Sequence, residues 1–178
     1  MKIRVLGHGA EPTAASPAPG AHEFRAVMAS MPASVCIVTA TGPGGQPWGM
    51  TCSSLCSVTL APPTVLVCLR AASPTMAAVT TSGRFAVNLL HHRARAAAEL
   101  FASGAPDRFE RIRWSAGAAD AGPHLPDHAH SILDCRLSRR VGAGDHLVTF
   151  GEVYAIGRLA GDRPLLYGFR RYASWCLP

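Results

Sequence analysis

The chain has 178 residues, 48% of them apolar and 16% charged, which is enough for one packed domain and too little for two. Its formal charge of +6 rests on seventeen basic residues, all arginine except Lys2, scattered rather than gathered in a run; this argues against a nucleic-acid-binding arm and suits a phosphate-bearing small ligand. The apolar stretch Ile3 to Leu6 is too short for a signal peptide or a membrane span, and six cysteines without a C-x-x-C pair read as small buried hydrophobes of a cytoplasmic, thiol-reduced protein.

Residues 1–20 end in EPTAASPAPG, a Pro/Ala/Ser-rich segment that cannot bury a core face. It reads as a flexible leader, with the folded domain expected over 21–178. From His22 to Met31, Phe24, Val27, Met28 and Met31 fall at i, i+3, i+4 and i+7, predicting an amphipathic helix with one buried stripe, stopped by Pro32. SVCIVTA (34–40) is strand-like, and TGPGGQP reads as a turn into a second strand from near Trp48, forming a hairpin. The stretch from Trp48 to Thr75 then reads as two apolar strands parted by Pro62-Pro63. Its first half carries Thr51, Ser53, Ser54, Ser57 and Thr59, more hydroxyls than a buried strand ordinarily holds, because each unpaired one costs free energy. A polar ligand is expected to meet them. TVLVCLR (64–70), apolar almost throughout, is expected to be covered on both faces.

Ser73 before Pro74 supplies a cap and a first-turn proline for a short helix to about Ser82, closed by Gly83. RFAVNLL (84–90) returns to strand, and RARAAAELFA (93–102) is a second helix ending before Gly104. Residues 103–130 form a long loop-like excursion of the kind that is functional or mobile. Within it His124, His128 and His130 have spacings a metal could use, but Pro126 breaks the helix that would align the first pair and no Cys or Glu completes a set, so a metal-free loop is expected. SILDCRLSRRV (131–141) and HLVTFGEVYAIGRL (146–159) are strands around a Gly-Ala-Gly-Asp turn, and PLLYGFRRYASW (164–175) closes the chain. The total favours a mainly β fold with short helices, a closed or nearly closed barrel.

The order G-M-T-C-S-S-L-C-S-V-T-L-x-P-P, V-L-V-C-L, S-P-T, S-G-R-F-A-V-N-L-L, E-L-F-A, R-F, G-D-H and P-L-L-Y-G-F-R-R-Y resembles the flavin reductase family. These small reductases supply reduced flavin to two-component flavin-dependent monooxygenases. The resemblance runs from about Phe24 to Tyr172. It implies a split β-barrel of the Greek-key, FMN-binding type, a homodimer with FMN or FAD near the subunit interface, and NADH or NADPH as hydride donor. It implies that Met50, Thr51, Cys52, Ser53 and Ser54 line the isoalloxazine and ribityl chain, with Ser57 close by. Cys68 and Leu69 join the expected cofactor-binding set, and Arg70, Ser73 and Thr75 form the phosphate turn, where a helix N-terminus also favours an anion. Asn88, Phe101, Arg108 and Tyr172 are the remaining cofactor-binding residues implied, and His146 of Gly144-Asp145-His146 is the catalytic one, beside the nicotinamide.

Taken on the residues alone, other readings stay open. The hydroxyls can be satisfied strand Ser and Thr, Ser73 a plain N-cap, Asn88 an edge-capping residue, Phe101 core, and Asp145-His146 an ordinary turn pair. Cys52 and Cys56 stand where the family more often has small or aromatic residues. Two other functions fit the same barrel: a flavoprotein that keeps its flavin and acts on an organic substrate, and a non-catalytic flavin-binding subunit. The absence of a G-x-G-x-x-G motif means that a nicotinamide nucleotide would bind over the flavin pocket rather than on a Rossmann domain. Neither nucleic acid nor membrane is an expected partner.

Overall fold

The computed structural model describes residues 20–159 and 163–175; the expected leader over 1–19 and Cys176 lie outside the described residues. Helix α1 (Ala21–Ala29) leads into β1 (Ala33–Ser34) and β2 (Cys36–Thr41), followed by β3 (Pro47–Cys52), β4 (Cys56–Leu60), β5 (Pro63–Arg70) and α2 (Pro74–Ser82). Then come β6 (Arg84–Leu90), α3 (Arg95–Ser103), β7 (Ala129–Ala143), β8 (His146–Arg158), β9 (Leu165–Gly168) and β10 (Arg171–Ser174). One antiparallel sheet runs β3-β2-β6-β7-β8-β5-β4, and a small one runs β1-β9-β10. The fold is thus mainly antiparallel β with three short α-helices, as the strands and helices read along the sequence imply.

The long sheet curls because alternate residues of its strands supply a single apolar filling. Cys36, Val38 and Ala40 of β2, Val65, Val67 and Leu69 of β5, and Phe85 and Val87 of β6 form one buried cluster, closed by Met76, Ala78 and Val79 of α2. Phe85 fills the centre: a Cβ at Gly151 would strike its ring and the Cys135 side chain, so β8 passes closely only because residue 151 is glycine. The opposite faces carry a second cluster, in which Val35, Ile37 and Leu90 pack against Ala97, Ala98 and Phe101 of α3. Helix α2 has the predicted ends, with Ser73 Oγ accepting from Met76 N at 3.1 Å and Gly83 in the left-handed region (φ 67°) donating to Val79 O.

Three expectations are corrected. The residues from Trp48 to Leu60 are not one strand but two, β3 and β4, placed at opposite edges of the seven-stranded sheet. The seam between them is tied by Ser54, whose Oγ donates to Cys68 O at 3.2 Å and accepts from Cys68 N at 2.9 Å. Strand β5 is buried on one face only, Leu66 and Cys68 being half-buried on the other, because α2 closes the face of Val65, Val67 and Leu69. The apolar stripe of α1 is not buried within the chain: Phe24 and Val27 are 60% and 62% exposed, since the helix is held only near its C-terminal end, where Phe169 N donates to Ala29 O and Pro32 lies against Gly168. Among the described residues no helix is long and apolar enough to cross a membrane.

Candidate functional site

Pairing of β5 with β8 sets Arg70 opposite His146, and Ala71 N donates to Asp145 O at 2.9 Å, so the turn before α2 and the turn before β8 share one corner. His146 Nδ1 lies 2.7 Å from Asp145 Oδ1. The imidazole, with Arg70 contributing less, holds the Asp145 carboxyl below its usual range. The opposite wall is β3. Gly49 lets Phe101 of α3 press on the strand, since a Cβ there would come within 2.9 Å of its ring, and Thr51 Oγ1 donates to Ala98 O at 2.7 Å. Between these walls is a cavity of about 480 Å³ lined by Met50, Thr51, Arg70, Ser73, Thr75, Phe101, Arg108 and His146.

Arg108 is the unusual member. It is 8% exposed, its Nη1 donates to Ala105 O at 2.9 Å, and its guanidinium carbon stands 5.9 Å from the Phe101 ring centroid. Its Nε has no hydrogen-bond partner among the described residues, and burial lowers its pKa. An orphaned cationic donor, a second arginine and a hydroxyl-capped helix N-terminus around one cavity are the donor set that a planar, phosphate-bearing ligand such as a flavin nucleotide requires.

A neighbouring cavity of about 600 Å³ shares Thr51 and is lined by Ser53, Arg95 and Tyr172 among others. Tyr172 packs against Tyr167 at 5.0 Å with the rings tilted by 60° and lies under Arg95 at 5.7 Å, and burial is the main cause of its raised pKa.

The other predicted residues are not brought to these spaces as side chains. Asn88 is fully buried as an internal joint: its amide nitrogen is within 3.3 Å of Ile37 O, Thr39 Oγ1 and Pro123 O, and its oxygen accepts from Leu125 N at 2.8 Å. Its four-way bonding pins the 121–125 loop to the sheet and leaves no group to face a cofactor. Leu69 points into the barrel core, Cys68 is half-buried with its backbone bound to Ser54, and Ser57 stands exposed on β4. Cys52 is 6% exposed and sits opposite Cys36 in the β2–β3 register. Hydrogen bonding from Cys36 and Ser54 lowers the Cys52 pKa, while the same pairing and burial hold Cys36 protonated. His124 bonds Asp134 at 2.7 Å and His130 bonds Ser131 at 3.1 Å; among the described residues no three His, Cys, Asp or Glu are grouped to hold a metal ion. Phe109, next to Arg108 in the R-F motif, lies near it with Trp48 and Trp114, and the two tryptophans have no counterpart in the sequence-derived site.

A model of the flavin reductase like domain matches residues 28–176. A flavin reductase (NADPH) of Lentzea aerocolonigenes is 47% identical over 161 residues, covering 88% of this chain and 94% of that protein. The NADH:FAD oxidoreductase SgcE6 of Streptomyces globisporus C-1027, solved in complex with NAD and FAD fragments, superposes with a TM-score of 0.80 at 30% identity over 87% of this chain and 92% of its own. The styrene monooxygenase flavin reductase of Pseudomonas putida S12 gives a TM-score of 0.78 at 29% identity, over 87% and 99%. Agreement of a match over most of the length, a relative 47% identical over 88% of the chain and a shared fold leads to one conclusion: the chain belongs to the flavin reductase family.

Proposed function

We propose that the chain is an NAD(P)H:flavin oxidoreductase that reduces FMN or FAD and supplies the reduced flavin to a monooxygenase partner. The observation that carries this is the convergence of the α2 N-terminus, Arg70, Arg108 and His146 on one cavity. A bound flavin supplies the two-electron chemistry, accepting hydride from the nicotinamide.

The chain's own residues bind, orient and exclude water. Ser73 and Thr75 at the start of α2, with Arg70, would hold the phosphate. Met50 and Thr51 on β3, with Ser53 and Tyr172 in the adjoining cavity, would hold the flavin, and the buried Phe101 keeps that wall dry. Nδ1–H of His146 donates to the Asp145 carboxylate, which orients the ring and leaves Nε2 to bond the carboxamide of the nicotinamide. The residues around the cavity would need to supply no acid–base pair for that chemistry. The name of the Pseudomonas putida relative, a reductase component of a monooxygenase, supports the partner class.

A homodimer follows from the apolar surface that the single chain leaves uncovered, Phe24 and Val27 on α1 and Leu60, 88% exposed, on β4. A second copy would also enclose Ser57. Sedimentation at micromolar concentration checks this, and a monomer would remove it. The reductase reading is tested anaerobically by adding NADH or NADPH to the chain with FMN or FAD and following loss of the visible flavin band. No bleaching in any of the four combinations sinks it. A rate that rises linearly with added flavin identifies a diffusible substrate.

A further inference from the structure

Beside the first cavity lies a cleft of about 530 Å³, between the tip of the β2–β3 hairpin and the loop after α3. Its walls are aromatic: Trp48 lies on the hairpin side, and Phe109 and Trp114 lie opposite, edge to face at 6.0 Å. Trp48 is seated by packing, since a Cβ on Gly42 would come within 2.8 Å of its indole nitrogen. Trp48, Pro106 and Arg108 line both the cleft and the first cavity, so the two spaces share a wall.

Arg108 stands in that shared wall, more than nine-tenths buried and with Nε unpartnered among the described residues. Leaving a guanidinium donor buried and unpaired costs free energy that an anionic ligand would recover, and its planar fork matches phosphate. The other polar groups of the cleft, the exposed Gln46 and Glu110 carboxylate, repel or ignore an anion but can accept from an exocyclic amine. Aromatic faces beyond a phosphate-binding arginine are the arrangement that receives a nucleobase by stacking.

We propose that this cleft binds the adenosine phosphate end of a dinucleotide, with a phosphate at Arg108 and the adenine against Trp48 and Trp114. The proposal rests on the reductase reading, because the rest of the dinucleotide occupies the first cavity. FAD and NAD(P)H carry the same adenosine phosphate, and the experiment separates them.

Titration of the full chain with ADP, read by tryptophan emission, requires no turnover. A saturable quench is expected, weakened about tenfold by Trp114→Ala, whose side chain is already 39% exposed, and by Arg108→Gln. If FAD is the source, the FAD-to-FMN affinity ratio falls about tenfold in Trp114→Ala. If NAD(P)H is the source, the KM advantage of NADH over reduced nicotinamide mononucleotide falls instead. Circular dichroism matching the parent chain excludes unfolding as the cause. Absence of an ADP quench, or both ratios unchanged in Trp114→Ala, overturns the proposal. A parent chain that bleaches no flavin overturns the reductase reading separately, because the ADP titration still reports on the cleft.

Discussion

Neighbouring residues of β2 and β6 enter two different interiors. Cys36, Val38, Phe85 and Val87 face the barrel, where the packing is almost wholly apolar. Ile37, Thr39, Asn88 and Leu90 face the opposite way, under α3 and the 121–125 loop, where apolar contacts alternate with a buried hydrogen-bond joint. The inner face can be satisfied by any well-filled volume. The outer face has to position a loop, and through it Phe109 and Arg108, so it uses directional bonds. Stability and site placement are therefore carried on opposite sides of the same strands.

The sharpest way to break that division is at its centre. Phe85→Ala empties the space beneath Gly151 and is expected to cost about 3–5 kcal/mol in denaturant unfolding. A cost under about 1 kcal/mol would mean that the barrel collapses to fill it. On the outer face, Asn88→Ala leaves Leu125 N without its acceptor and should cost about 2–3 kcal/mol. It should also weaken flavin binding by loosening the loop, whereas Phe85→Ala should not weaken binding beyond its effect on folding; equal effects of the two variants on flavin affinity would erase the distinction.

At the rim, His146→Ala should raise KM for the nicotinamide nucleotide about tenfold, the value of one hydrogen bond, with melting temperature unchanged. A shift in melting temperature with no kinetic change would make Asp145-His146 a plain turn pair.

The smallest effect concerns pH. Burial lowers the pKa of His128 and His130, with His91 adding to the shift. The unfolded chain therefore takes up protons first as the pH falls below about 6.5, and stability declines over that range. Melting temperatures between pH 7.5 and pH 5.5 should show this decline, and it should flatten in a His128→Gln, His130→Gln double variant.

Local signals made much of this architecture legible. The bounds of RFAVNLL, the Ser73-Pro74 cap and the Gly83 stop come from short-range chemistry and fall where the sequence places them. Long-range pairing was not legible in the same way. Nothing local in TCSSLCSVTL announces that its two ends belong to opposite sheet edges, because that depends on strands as far along the chain as β7 and β8. The α1 stripe has correct helical periodicity, but periodicity reports an apolar face and not what covers it. Asn88 was ambiguous because an asparagine can bond a ligand or its own backbone equally well, and only the position of the 121–125 loop decides. Arg108 looks like fifteen other arginines until its burial is known.

The Ser54 seam is the natural place for the native protein to breathe. Ser54 meets Cys68 as a continuation of the β4–β5 ladder, in which Cys56 pairs with Leu66, whereas β3 is the far edge strand of the sheet, so the closure beside Ser54 is not backed by a strand ladder. A junction without a ladder opens at a lower free-energy cost than the paired strands around it. The ligand that rests against Met50, Thr51 and Ser73 would then act as a clasp on the barrel, adding about 2.7 kcal/mol at a hundredfold excess over its Kd. Hydrogen exchange at Ser53, Ser54 and Leu55 should slow more than elsewhere when flavin is added, and uniform slowing would place the breathing somewhere other than this seam.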